Sequence, residues 1–241
     1  MHRMSSSRLH THFYADGRRD GTRAFYGWLR ESLRPEMRVL NVGAGPATKA
    51  PLRIIKGEVS SVVGADIDPV VLENEELDQA VVIKDAMLPF AKESFDLAYA
   101  DYVLEHVEEP RPFLTEIQRV LKPGASFLFR TPNRNHYVAL GSRMTPHWMH
   151  RLVANRMRGL PSNSHDPWPT VYRLNSRAQI ERFAVEAGFR GIEIRMFEAD
   201  PSYLVFSSLT FLAGVAYERL VNSTELLAAW RVNIFGKLTK P

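Results

Sequence analysis

The chain has 241 residues, 45% apolar and 24% charged, with a net charge of +4 and no cysteine. That length suits one globular domain with insertions, and the missing thiols exclude disulfides, thiolate metal sites and a cysteine nucleophile. Charge is unevenly placed: residues 134–175 hold Arg134, Arg143, Arg151, Arg156, Arg158 and Arg173 against one acid, Asp166, a net +5 that suits an anionic partner or a solvated basic face.

In chain order, the N-terminal MHRMSSSRLHTHFYADGRRDG is basic but has no apolar core of signal-peptide length, so a cytoplasmic protein is expected. Residues 20–33 have helical spacing. Strand signals follow at 38–42, 60–65, 80–84 and 95–100. Residues 112–121 read as a helix opened by Pro112 and stopped by Lys122-Pro123-Gly124, and residues 126–130 as a fifth strand. A helix over 176–187 carries a capping box, Ser176 with Gln179, and Gly188 as its stop. Strands at 192–197 and 232–238 close the chain. The alternation predicts a mostly parallel α/β sheet, and two stretches interrupt it, 134–175 and 198–228. Residues 201–217 carry no charge but fall short of the ~20 residues that span a bilayer. The apolar stretch 201–221 is expected to pack within the fold, with a dimer face or a lipid-linked ligand as alternatives.

The chemistry gathers at strand ends. VLNVGAGPA puts Gly43 and Gly45 after the first strand, where they serve either a tight turn or a ligand lying against bare backbone. The residues after them can open a helix whose N–H groups face the same place. A dinucleotide fingerprint wants a third glycine where Thr48 stands. Asp66, with Ile67 beside it, ends the second strand in VVGADIDP, and such a carboxylate can accept both hydroxyls of a ribose. Asp68, before Pro69, reads as a turn residue. Asp85, in KDAMLPF, can accept from an exocyclic amine or cap a turn. Three such elements at successive strand ends point to a nucleoside.

VLNVGAGPA, VVGADIDP, KDAMLPF, SFDLAYADYVLEHV and VLKPGASFLFRTPN together resemble, in order, the motifs of class I S-adenosylmethionine-dependent methyltransferases, most closely the group with the quinone-biosynthesis enzymes. The resemblance covers roughly residues 37–133. It implies a Rossmann-like seven-stranded sheet with the last strand antiparallel and S-adenosylmethionine as cofactor. It places Asn41, Gly43, Ala44 and Gly45 at the methionine part, Asp66 and Ile67 at the ribose, and Asp85 and Ala86 at the adenine. Asp101 and Tyr102 would face the amino-acid and sulfonium region. Asn41 stands where the family often has an acid, and Ala47 where a third glycine is common.

Methyl transfer from a sulfonium mainly needs in-line placement of the acceptor, with a base where that acceptor is a hydroxyl. Glu105 and His106 are the candidate base pair, or else they cap and pack a short helix. Tyr102 stands at the first position of the Glu-x-x-Glu-His metal motif of some quinone-type relatives, and His136, His147, His150 and His165 lack a supporting carboxylate cluster, so no metal is expected. Residues 134–175 are read as a basic helical cap, with Arg143, His147, Arg151, Arg158 and Tyr172 toward the acceptor. The expected organisation is one domain over 1–241: an N-terminal helical segment (1–36), the cofactor core (37–133), the cap (134–175) and a C-terminal part (176–241) with the apolar insertion 198–228. The expected acceptor is a small molecule or a glycan- or lipid-linked intermediate with an anionic group, with O-methylation favoured. Nucleic acid and a transmembrane segment are not expected. Peripheral membrane contact and a monomer or homodimer stay open. The alternatives are a silent S-adenosylmethionine-binding module and a nucleotide-dependent oxidoreductase.

Overall fold

Short runs of Val, Ala, Leu and Phe, buried on both sides, are what a central parallel sheet demands. The computed structural model describes residues 6–84, 87–144 and 169–241. Its strands are β1 (Arg38–Val42), β2 (Ser61–Asp66), β3 (Gln79–Val82), β4 (Phe95–Asp101), β5 (Leu121–Pro132), β6 (Gly191–Phe197) and β7 (Asn233–Thr239). They form one sheet in the order β3-β2-β1-β4-β5-β7-β6. Only β7 runs antiparallel to its neighbours, as expected for the last strand. The carboxyl ends of β1, β2, β4 and β5 therefore share one edge, where α/β sheets bind ligands.

The described α-helices are α1 (Ser6–Tyr14), α2 (Gly21–Ser32), α3 (Pro110–Val120), α4 (Tyr137–Met144), α5 (Arg177–Glu186) and α6 (Ser208–Asn222). The Asp20 carboxylate caps α2 by accepting from the Thr22 and Arg23 N–H groups. Phe25, Tyr26, Trp28 and Leu29 then face Val39, Leu97, Leu128 and Phe235 on one side of the sheet. On the other side, Leu114, Ile117 and Val120 of α3 and Ile180 and Ala184 of α5 cover Leu40, Ala98, Phe127 and Phe129. Burial of each such large apolar side chain contributes about 1.5–3 kcal/mol. Ser176 caps α5 by accepting from the Gln179 N–H, and the Gln179 side chain reaches back to the Asn175 N–H rather than to that of Ser176.

Three expectations need correction. No α-helix follows the glycines: the chain stays irregular to Ala50 and makes only a three-residue 3-10 turn, Pro51–Arg53. Pro51 disfavours helical geometry in the residue before it, Lys49 is left-handed (φ 54°), and Glu76 accepts from Thr48 Oγ1 (3.1 Å) and the Lys49 N–H. Second, β5 begins at Leu121 rather than Ser126. A register shift between Phe95 and Leu97, with Gly124 at φ 77°, absorbs the extra residues. Third, the apolar stretch 201–221, which includes most of α6, is buried on one face only. Phe211 and Val215 meet Tyr14, Leu9 and Phe13, but Phe206 and Leu209 are 73% and 79% exposed and Leu212 and Leu220 are exposed too.

Candidate functional site

At the end of β1 the chain turns on Gly43 (φ 68°) and Gly45 (φ 56°). A Cβ on Gly43 would lie 2.4 Å from Val103 Cγ2, whereas one on Gly45 meets nothing within 4 Å. Gly43 is thus required by both backbone and packing, and Gly45 by backbone alone. Ala44, between them, packs over Gly64 of β2.

Asp66 ends β2 as a clamped carboxylate. One oxygen accepts from the Gly45 N–H and the other from the Asp68 N–H, both at 2.8 Å. Each oxygen keeps a free lone pair, so the group can accept further hydrogen bonds. Ile67 beside it is exposed. Asp68 caps the 3-10 turn Pro69–Glu73, which bears out its reading as a turn residue. Asp85 and Ala86, expected at the adenine, lie outside the described residues.

Beside the glycines is a polar cavity of about 70 Å³, walled by Asn41, Gly43, Ala44, Arg53, Tyr26 and Asp101 among others. Asn41 bonds the side chain of Tyr99, whose phenol burial pushes up. Asp101 ends β4. Its two oxygens accept from Arg130 Nε (2.6 Å) and Nη2 (2.7 Å), and Oδ2 accepts also from the Tyr26 hydroxyl (3.2 Å). Arg53 Nη1 stands 3.8 Å from the same Oδ2. Arg130 is 1% exposed. Its burial opposes its charge, but the bonds to Asp101 and the neighbouring acids hold it above the usual range. Tyr26 is pushed up by burial first and the charge of Asp101 second. Tyr102, also left-handed (φ 59°), lays its ring under Arg130, and its hydroxyl donates to Asn233 Oδ1 at 2.9 Å.

Glu105 and His106 occupy the 3-10 turn Leu104–His106 just beyond β4. Glu105 is 6% exposed, and desolvation raises its carboxyl to about 7. Thr131 Oγ1 donates to it at 3.2 Å and receives in turn from Asn175 Nδ2 at 2.6 Å. The Asn175 Oδ1 is buried with no hydrogen-bond partner among the described residues. The Glu105 carbonyl accepts from the Val171 and Tyr172 N–H groups, tying residues 171–172 to the turn. His106 lies within 3.0 Å of the Pro169 carbonyl through Nδ1, which must carry the proton since a carbonyl only accepts. Its Nε2 then faces Glu105 Oε1 at 4.0 Å.

Of the acceptor residues expected from the sequence, Tyr172 lies over this turn (φ 52°). Arg143 falls on α4, and His147, Arg151 and Arg158 lie outside the described residues, as do His150 and His165. His136 is buried, its Nε2 3.4 Å from Glu198. Arg134 and Arg177 line a wider groove of about 810 Å³ with Asn133, Ser176, Met196 and Leu226, next to the end of β5. Sequence reasoning did not single out Tyr26, Arg53, Arg130, Thr131 or Asn175. A dinucleotide pyrophosphate would need Thr48 and the Lys49 N–H, which Glu76 already occupies, and a helix start that is not there.

Residues 40–129 match the family described as a methyltransferase domain. The chain is 28% identical over 151 residues to a demethylmenaquinone methyltransferase of Corynebacterium glutamicum, covering 61% of this chain and 62% of that one. It is 30% identical over 139 residues to a ubiquinone biosynthesis O-methyltransferase of Cereibacter sphaeroides, covering 54% and 52%. It thus spans between half and two thirds of these curated relatives. In fold it is similar to an S-adenosylmethionine-dependent methyltransferase from Mesorhizobium loti, with a TM-score of 0.55, 18% identity, and 92% and 99% of the two chains covered.

Proposed function

On the premise that this chain carries a methyltransferase domain on the class I fold, we propose that it binds S-adenosylmethionine and transfers its methyl group to a small or glycan- or lipid-linked acceptor with an anionic group. The clamped Asp66 carboxylate carries this reading. It is oriented by the N–H of Gly45 itself, so the glycine turn and a diol receptor form one unit. The residues fit the cofactor's parts: bare backbone at Gly43 and Gly45, a carboxylate for the ribose, and a polar cavity for the amino-acid end.

When bound, the cofactor supplies an electrophilic methyl on sulfur. The chain's part is to orient the acceptor along the carbon–sulfur axis and to exclude water, and effective molarity contributes most of the rate. For a hydroxyl acceptor, Glu105 would take the hydroxyl proton. A carboxyl held at about 7 is matched to that task at neutral pH. Thr131 and Asn175 fix its position. The anionic acceptor rests on the +5 charge of residues 134–175, read as the cap of a single domain; Arg134, one of these, lines the groove beyond β5, where Arg177 is paired with Glu181.

The test is release of S-adenosylhomocysteine from S-adenosylmethionine across paired hydroxyl acceptors with and without a carboxylate or phosphate. Faster turnover of the acidic member of each pair is expected. Equal rates would remove the anionic acceptor. Binding of the cofactor with no turnover of any acceptor would favour the silent binding module.

A further inference from the structure

The outer side of α6 is an apolar stripe on a firmly bedded helix. Its inward positions Phe211, Val215, Glu218 and Val221 are buried, and a Cβ on Gly214 would stand 2.5 Å from Pro201, so the preceding 3-10 turn lies close against it. The bed of this face is α1, through Leu9, Phe13 and Tyr14, a cluster apart from the two cores on the sheet. Ser207 caps the helix by accepting from the Thr210 N–H. The outward positions 209, 212, 213, 216 and 220 share one helix face, and all are exposed leucine or alanine. Phe206, just before the cap, is exposed as well. A contiguous apolar surface of this kind on a soluble fold marks a contact site.

Charge selects the occupant. Glu218, the only acid of α6, is turned inward at 1% exposure and faces both Arg19 (2.8 Å) and Arg219 (3.4 Å), two guanidiniums on one carboxylate. Arg219 is itself exposed beside the stripe. Of the flanking acids, Asp16 pairs with Arg18 and Glu225 with Arg231, while Asp200 faces His10 and is offset by the exposed Arg8 of α1. On the other flank, Tyr137 of α4 meets Tyr217 edge-on at 4.9 Å, and α4 belongs to the stretch 134–175 with its net +5. A second copy on this face would repeat the same patch and oppose like charges. An anionic lipid surface suits both features: apolar side chains enter below the headgroups, and cations meet the lipid charge. Tyr203 and Trp230, half-exposed in the same connection, are residue types that settle at such an interface. Among the described residues no helix is long and apolar enough to cross a membrane, so α6 would lie along the surface. The connection that carries α6 leaves β6 at Phe197 and enters β7 at Asn233, both at the sheet edge where β5 ends, so the docked face adjoins the candidate site.

We propose that α6 docks this chain on an anionic lipid surface, with Phe206, Leu209, Leu212 and Leu220 entering the headgroup layer. The inference stands apart from methyl transfer, and its test is binding alone: co-sedimentation of the full chain with lipid vesicles. Wild type is expected to partition onto vesicles of equal parts phosphatidylcholine and phosphatidylglycerol. It should bind phosphatidylcholine alone at least about tenfold more weakly, since each cation near an anionic surface is worth about fivefold. The double variant Phe206→Ser with Leu209→Ser should melt as wild type does and lose at least about tenfold in partition onto the mixed vesicles. Val185→Ser, at an exposed apolar position on α5, should stay within about twofold of wild type. A folded wild type that does not sediment with the mixed vesicles would overturn the proposal, as would equal partition onto both vesicle types. Unchanged partition of the double variant, or an equal loss in Val185→Ser, would do the same. So would a wild-type dimer in analytical ultracentrifugation that the double variant splits into monomers, which would give the face to a second copy.

Discussion

Replacing Glu105 by Gln should stabilise the protein at alkaline pH and leave its stability at acid pH almost unchanged. Burial holds this carboxyl at about 7, against an ordinary value of 4.5. The folded chain therefore keeps the proton to higher pH than the unfolded chain does. The stability linked to that proton is fully present below about 4.5 and is lost as pH rises through about 7. The gap is worth about 3 kcal/mol, and the group is buried, so solvent does little to screen it. An amide removes the ionisation but still accepts from Thr131 Oγ1. Urea unfolding of wild type and Glu105→Gln at pH 5, 7 and 9 measures the difference directly. It should grow from about 1 kcal/mol at pH 5 to about 3 kcal/mol at pH 7 and 9 in favour of Glu105→Gln, the latter roughly 6–12 °C in melting temperature for a chain of this size. Turnover of a hydroxyl acceptor should fall in the same variant, since an amide takes no proton. A difference independent of pH, or a variant less stable than wild type at pH 9, would refute the reasoning.

Other perturbations separate the remaining parts of the structure. Gly43→Ala should cost about 2–4 kcal/mol in urea unfolding, from a left-handed backbone and the clash with Val103, and Gly45→Ala only about 1 kcal/mol. Asp101→Asn should cost about 3–5 kcal/mol because it strands the buried Arg130, and adding Arg130→Met should restore part of the loss. Phe211→Ala should cost about 3–5 kcal/mol, and Leu209→Ser should stay within about 0.5 kcal/mol of wild type, because the first is buried and the second is 79% exposed. Thermal melts of the two variants check that contrast.

Strands and their order of use were legible because apolar runs and turn residues are local signals. β1 falls where its apolar run does, Ser176 caps α5 as its spacing implies, and Gly43 and Gly45 take the left-handed geometry that glycine permits. What stayed hidden depends on register between distant segments. Asp101 and Arg130 are partners across the β4–β5 ladder, 29 residues apart in sequence. No local pattern pairs them. The Thr131–Glu105 and Asn175–Thr131 bonds are likewise set by where β5 and the chain before α5 meet. The missing helix after the glycines had a visible cause in Pro51, yet its consequence, Arg53 at a cavity wall, appears only with the fold. The apolar surface of α6 looked like core in sequence, where composition cannot tell a buried face from an exposed one.

The central claim is that the glycine turn and Asp66 form one receptor for S-adenosylmethionine. Titration calorimetry of the purified chain with S-adenosylmethionine and S-adenosylhomocysteine, wild type beside Asp66→Ala, addresses it most directly. Saturable 1:1 binding to wild type, weakened at least about tenfold in a variant that still melts cooperatively, is predicted from the loss of charged hydrogen bonds to the ribose. A folded wild type that binds neither ligand, or an Asp66→Ala variant that binds both as tightly as wild type, would contradict it.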